Sequence, residues 1–280
     1  MNSRKGILLL LVLMLVTALL LWLVIRENPF SLGTFISGEA ATPPEPPLML
    51  QINGVSDAYP AIDEGDSVLT YTGFHLLYNE EYEQAAWVAY ILTGEQVLSG
   101  TESRTENFRS DTAIVTGSAT PRDYLRSGYD RGHLAPAADM KWSPAAMSES
   151  FLMSNMSPQT PGFNRGVWSR LESMVRDWAI ENDSILVITG PVFYGIGEYI
   201  GDNSVGIPKY FFKVIADISP PDFKVISFLL ENASSSAELL SFTVSIDSLE
   251  VITGYDFFAA HPDQEMIERM EAKVNITGWF

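Results

Sequence analysis

The sequence predicts an α+β domain, a mixed or antiparallel sheet with helices packed on its faces. Three observations carry that expectation. From about residue 60 onward, short strand-like apolar runs alternate with a few helical ones. Several of the runs are continuously apolar, as strands buried on both sheet faces are. Two segments carry helix signals of start residue or apolar spacing, and six Trp, eleven Tyr and fifteen Phe supply a core large enough to bury them.

In chain order, Arg4 and Lys5 precede an uncharged run from Gly6 to Ile25, closed by Arg26 and Glu27. About 20 apolar residues suffice to span a bilayer as a helix. The run exceeds the h-region of about 7–15 residues of a cleavable signal peptide and lacks a good small-residue cleavage site close behind it. Residues 1–27 are therefore expected to be an uncleaved signal anchor. The basic flank stays cytoplasmic and the rest lies on the other side, in a bacterial periplasm or exterior, or in a mitochondrial intermembrane space. Residues 28–60 read as a Pro-rich linker, because Gly-Glu-Ala-Ala-Thr-Pro-Pro-Glu-Pro-Pro from Gly38 to Pro47 lacks the amide donors of helix or sheet. Residues 61–280 are the globular domain.

Strands are expected at Ser67 to Phe74, Ala86 to Leu92, Ile185 to Thr189, Tyr210 to Ile218, Lys224 to Leu230 and Ser241 to Ser245, the last three as antiparallel neighbours. One helix starts at Ser143-Pro144 and runs to Phe151, with Pro in the first turn, where no amide donor is lost. A second runs from near Asn164 to Glu181, with Trp168, Leu171, Val175 and Trp178 on one stripe. Its N-terminal end suits an anion such as phosphate.

Composition excludes several chemistries. The chain has no Cys and only three His, at 75, 133 and 261. Disulfides, thiolate nucleophiles and thiolate zinc sites are absent, and a metal must be held by oxygen or imidazole; a multi-histidine zinc cage would need all three His, so oxygen-rich coordination of the magnesium type is expected. A formal charge of −18 argues against holding nucleic acid by bulk electrostatics. Residues 120–180 differ, with seven Lys/Arg against six Asp/Glu.

That same stretch holds the groups phosphodiester hydrolysis needs: a base for water, a positive centre for the developing charge, and help for the leaving oxygen. His133 follows Asp130-Arg131-Gly132 and precedes a small-residue turn, and an imidazole with an ordinary pKa near 6.5 can take a proton at neutral pH. On one continuous helix, Asn164 and Glu172 would lie about 80° apart around the axis and roughly 12 Å apart along it. An amide oxygen there could hold magnesium directly and a carboxylate could hold its waters. Taken singly, each residue has a plainer reading: a structural His, an N-cap Asn, a solvated Glu. Asp130 is expected to fix the turn or a neighbouring side chain. His75 and His261 are assigned no catalytic role.

The blocks Asp130-Arg-Gly-His133-Leu-Ala-Pro-Ala-Ala-Asp, Phe151-Leu-Met-Ser-Asn155-Met-Ser-Pro-Gln159 and Phe163-Asn164-Arg-Gly-Val-Trp168-Ser-Arg-Leu-Glu172 resemble the DNA/RNA non-specific endonuclease family, endonuclease G-like with its DRGH motif. Thr189-Gly-Pro-Val-Phe193 and the run ending at Lys213 fit as well, so that the likeness spans about residues 65 to 260. The resemblance implies a ββα-metal (His-Me finger) core inside the α+β domain. It implies His133 as general base, Asn164 as direct metal ligand, Glu172 as a metal ligand through water and Asn155 as a residue that orients the site. It implies an upstream arginine, Arg104 with Arg109 as the fallback. Arg131, either structural or phosphate-binding, and Arg165, which stands where many members have Gln, are the expected substrate-binding positions. The implied cofactor is magnesium, with manganese as the alternative. The implied partners are DNA and RNA as substrate; the apolar N-terminal run adds the membrane, and a second copy in a homodimer is a further expected partner. Two rival readings are a phosphodiesterase for a smaller, non-polymeric substrate and a catalytically silent nucleic-acid-binding module.

Overall fold

The computed structural model describes residues 59–61, 66–195, 197–217, 224–259, 261 and 263–280. The anchor expected over residues 1–27, and the linker expected over 28–60 except its last two residues, lie outside the described residues. Among the described residues no helix is long and apolar enough to cross a membrane.

Seven strands build the main sheet: β1 (Val68–Thr70), β2 (His75–Asn79), β3 (Gln84–Thr93), β6 (Ser184–Val192), β9 (Tyr210–Asp217), β10 (Lys224–Glu231) and β11 (Thr243–Val244). They lie side by side in that order, every pair antiparallel. The continuous apolar runs have the expected cause. Along β3, Val88, Tyr90 and Leu92 join the core on one face, while Trp87 and Ala89 join the core on the other. In β6 and β9, Ile185, Val187, Phe211 and Ile215 likewise face one way and Leu186, Ile188, Phe212 and Val214 the opposite way. Alternation along each strand is present, but both faces are dry.

Between β3 and β6 the chain makes one long excursion, residues 94–183, whose two ends are pinned side by side. Thr93 pairs with Ser184, and the Gly94 amide donates to the Asp183 carbonyl at 2.8 Å. The excursion contains α1 (Gly94–Ser99), a two-stranded ladder of β4 (Asp130–His133) and β5 (Met156–Gln159), α2 (Pro144–Glu149) between those strands, and α3 (Ser169–Glu181) after them. Trp168, Leu171, Val175 and Trp178 dock α3 on the first face of the sheet. Burial of such side chains stabilises by about 1.5–3 kcal/mol each. The short β7 (Tyr199–Ile200) and β8 (Val205–Gly206) pair with each other. Near the C-terminal end, α4 (Ile246–Thr253) and α5 (Gln264–Glu271) cover the second face through Ile246, Leu249 and Ile267.

Three element boundaries differ from expectation. Ser67 to Phe74 is not one strand: the Tyr71 amide donates to the Phe74 carbonyl at 2.9 Å, closing a turn between β1 and β2. Gly73 permits that turn, because a Cβ there would collide with Met140 Sδ. Ser241 to Ser245 is not one strand: its first two residues end a 3-10 turn, Leu239–Phe242, the next two form β11, and Ser245 caps the following helix. The helix expected from Asn164 is broken at Gly166 (φ −111°, ψ −110°), so a π-type turn over Phe163–Trp168 precedes α3.

Candidate active site

The β4–β5 ladder fixes the imidazole. His133 pairs with Met156 and Gly132 with Ser157 at the end of the two strands. Gly132 carries no side chain for a steric reason: a Cβ there would run into the Gln159 side chain lying across it. Beyond β4 the chain turns at Leu134–Pro136, and Asn155 clamps that turn. Its Oδ1 accepts from the Ala135 amide at 2.9 Å, and its Nδ2 donates to the carbonyls of Ala135 (3.0 Å) and Ser150 (2.8 Å). Asn155 is fully buried with both ends of the amide engaged, so it holds the turn that follows His133 and does not line the cleft.

The ring of His133 sits edge-on to Phe151 (centroids 4.9 Å apart) and Phe108 (5.9 Å). Its Nε2 is buried and makes no hydrogen bond among the described residues. Burial, followed by the charges of Arg104 and Arg131, lowers its pKa to about 3. The imidazole is therefore neutral near pH 7, the form able to accept a proton.

A cleft of about 340 Å³ brings together Arg104, Arg131, His133, Asn164, Arg165 and Glu172. A larger depression of about 560 Å³ beside Arg122, Asp123 and Asp202 has no imidazole in its wall. Arg104 and Arg131 flank the histidine, their guanidiniums over the Phe151 ring (4.8 Å) and the Phe108 ring (4.1 Å). Arg109 is spent elsewhere, donating to the carbonyls of Ser148 (2.8 Å) and Asn107 (3.3 Å). Arg104, not Arg109, is the upstream arginine that reaches the cleft.

Asp130 organises the opposite wall. Arg165 grips it with two hydrogen bonds, Nε at 2.8 Å and Nη2 at 2.6 Å, and Asn164 Nδ2 donates to it at 2.9 Å. Burial raises the Asp130 carboxyl, but the hydrogen bonds from Arg165 and Asn164 outweigh it and hold the group below the usual carboxylate range. With Nδ2 committed, Oδ1 is the atom Asn164 can offer a cation. Because the helix breaks at Gly166, Asn164 and Glu172 do not share the regular helical face expected of them; the kink and the Asp130 contact place them on one cleft wall instead.

Glu172 stands on α3 with no hydrogen bond among the described residues, and burial pushes its carboxyl up, opposed chiefly by the charge of Lys213. Behind it lies a charged floor that residue patterns did not reveal. Lys213 is fully buried on β9, its Nζ 4.6 Å above the Trp168 ring and without a hydrogen bond among the described residues, and burial lowers its pKa. Buried Asp139 accepts from Tyr90 Oη (2.8 Å) and Arg176 Nη1 (3.0 Å). Two signals could have found this floor: a Lys inside the apolar run Tyr210-Phe-Phe-Lys-Val-Ile215, and Arg176 one turn beyond Glu172 on the same helix. His75 accepts or donates at Thr70 Oγ1 (3.0 Å) on the sheet, and neither it nor His261 lines the cleft.

The donor set fits a hard divalent cation. It offers an amide oxygen and an unbonded carboxylate within one cleft, and no sulfur.

Comparison with known proteins bears on the same region. The sequence profile of the family described as DNA/RNA non-specific endonuclease matches residues 58–264. A mitochondrial nuclease of Saccharomyces cerevisiae is 35% identical over 208 residues, 66% of this chain and 63% of that protein. Mitochondrial endonuclease G of Caenorhabditis elegans is 34% identical over 224 residues, 74% of this chain and 73% of that protein. The human protein of that name is 34% identical over 196 residues, 65% of this chain and 66% of that one. The chain thus spans somewhat under two thirds of the yeast relative's length. Among solved structures, an EndoG/EndoGI complex described as showing the mechanism of EndoG inhibition superposes with a TM-score of 0.66 at 31% identity, covering 71% of this chain and 87% of that one.

Proposed function

The chain belongs to the DNA/RNA non-specific endonuclease family, and from that membership we propose that it is a divalent-metal-dependent endonuclease that hydrolyses DNA and RNA with His133 as general base. One observation carries the reading: a neutral, buried imidazole whose Nε2 makes no hydrogen bond among the described residues lines the same cleft as Asn164, Glu172, Arg104 and Arg131. Asn164 would hold the cation directly and Glu172 through water, and Asn155 would position the histidine.

When bound, the cation, magnesium or manganese, supplies Lewis-acid polarisation at phosphorus and stabilises charge on the leaving oxygen. His133 Nε2 takes a proton from water, whose oxygen attacks phosphorus in line with the departing 3′ oxygen, leaving a 5′ phosphate. Arg104 and Arg131 offset the growing negative charge, and the phosphate in turn offsets the two positive charges that depress His133. Arg165 is held by Asp130, so its part is to keep Asn164's neighbour in place and to meet the nucleic-acid backbone with its exposed edge. Backbone contacts carry no base information, in keeping with low sequence preference.

The full chain should degrade plasmid DNA and RNA with magnesium and stop on chelation. Turnover confined to small phosphodiester esters would overturn the nucleic-acid reading. We keep residues 1–27 as a membrane tether and 28–60 as its spacer on sequence grounds, and the names of the three relatives favour a mitochondrial setting among the non-cytoplasmic compartments. A tethered chain stays in the membrane pellet after an alkaline wash, and release into the supernatant would remove the tether.

A further inference from the structure

On the face of the sheet opposite the cleft, α4 and α5 bring Asp247, Glu250 and Glu271 together, each offering a carboxylate oxygen within 4.8 Å of the others. Glu271 is only 8% exposed, and its Oε1 is buried without a hydrogen bond among the described residues. Burial pushes its carboxyl up to about 8, and the charges of Glu250, Asp247, Asp256 and Glu268 push the same way. Arg269, the basic residue of α5, pairs with Glu265 on the same helix at 2.7 Å. Glu250 is partly engaged, accepting from the Phe257 amide through Oε1 at 2.8 Å. A buried carboxylate without a partner is costly, and proteins resolve the cost by pairing it, protonating it or placing it on a metal.

We propose that Asp247, Glu250 and Glu271 form a second cation site, selective for Ca²⁺ over Mg²⁺, that ties α4 to α5. The donors are all oxygen, which disfavours zinc. Two oxygens on one Ca²⁺ lie at most about 4.6–5.2 Å apart, since Ca–O distances are about 2.3–2.6 Å; on Mg²⁺ the limit is about 4.2 Å with strict octahedral geometry. The three oxygens lie within 4.8 Å of one another, so all of them reach one Ca²⁺ once the exposed Asp247 side chain closes the triangle to the about 4.0–4.5 Å those distances allow, a looser fit than octahedral Mg²⁺ accepts, and waters on the exposed side complete the shell. The site is structural, stands apart from the hydrolytic cleft, and holds whether or not that cleft cuts nucleic acid.

The test uses the full-length chain carrying Asn164→Ala, so that the cleft does not contribute, with calorimetry and thermal unfolding as readouts. This protein should bind Ca²⁺ saturably, and at ten times the dissociation constant its unfolding midpoint should rise by roughly 3–6 °C. Adding Glu271→Gln or Asp247→Asn should abolish both effects, and Mg²⁺ should bind at least tenfold more weakly. Asp247 is exposed, so its variant keeps the fold if Glu271→Gln does not. The proposal is overturned by Ca²⁺ affinity unchanged in either variant, or by no saturation up to about 10 mM, beyond the weakest protein calcium sites near 10⁻³ M.

Discussion

His133→Ala is expected to lower turnover of plasmid DNA by about 10²–10⁴-fold, the usual contribution of a positioned acid–base group. The substitution removes an imidazole whose Nε2 makes no hydrogen bond among the described residues but whose ring packs on Phe151 and Phe108, so a cavity cost to stability is expected and the loss of rate should greatly exceed it. Activity above about a tenth of wild type would assign the base elsewhere. The pH profile makes a sharper statement. A histidine lowered to about 3 is almost wholly neutral from about pH 5 upward, so the free protein, read through kcat/KM, should show no histidine titration near the ordinary imidazole value of about 6.5. Substrate phosphate cancels part of the Arg104 and Arg131 charge, so the acid limb of kcat should lie at higher pH than that of kcat/KM. Any remaining limb between them belongs to Glu172, whose carboxyl burial raises, and Glu172→Gln should remove it. A kcat/KM limb near 6.5 that survives Glu172→Gln would contradict the burial of His133.

Asn155→Ala is expected to be the most destabilising single change in the site. It strands one buried amide and two buried carbonyls, at Ala135 and Ser150. Unsatisfied buried groups cost about 1–3 kcal/mol each, so a loss of about 3–5 kcal/mol is expected. For a domain of this size that lowers the melting midpoint by roughly 6–20 °C. Turnover measured well below that midpoint should fall too, because the turn after His133 loses its clamp. Comparing the two variants separates the roles: His133→Ala loses rate far out of proportion to the cost of its cavity to the melting point, whereas Asn155→Ala loses chiefly stability, and rate with it. A melting point for Asn155→Ala within about 2 °C of wild type would remove the clamp from the account.

Much of this site was legible because its chemistry is written in short, ordered blocks. His133, Asn164 and Glu172 stand out by residue type and spacing, and the continuous apolar strands announce a sheet buried on both sides. The β4–β5 ladder was hidden for physical reasons. Asp130–His133 is polar, and Met156–Gln159 contains Pro158, which argues against a strand unless it lies at an edge. The helix expected from Asn164 to Glu181 failed at one glycine, since apolar spacing does not register a backbone break at Gly166. Lys213, Asp139 and Arg176 meet only through the tertiary fold, as do Glu271 and the pair Asp247 and Glu250. No local periodicity could join them.

The pairing of Thr93 with Ser184 has a further implication for how such a site is inherited. Every cleft residue from Arg104 to Glu172 falls between those two positions. To the sheet, β3 and β6 are simply neighbours of a hairpin, and the reaction centre is a cassette spliced into its loop. Entry and exit are adjacent, so loop-closure entropy grows only as the logarithm of the cassette's length. The cassette can lengthen, shorten or change a wall without altering the register of the scaffold. Variation in substrate preference can therefore accumulate in one contiguous stretch of coding sequence while the supporting strands are left as they are.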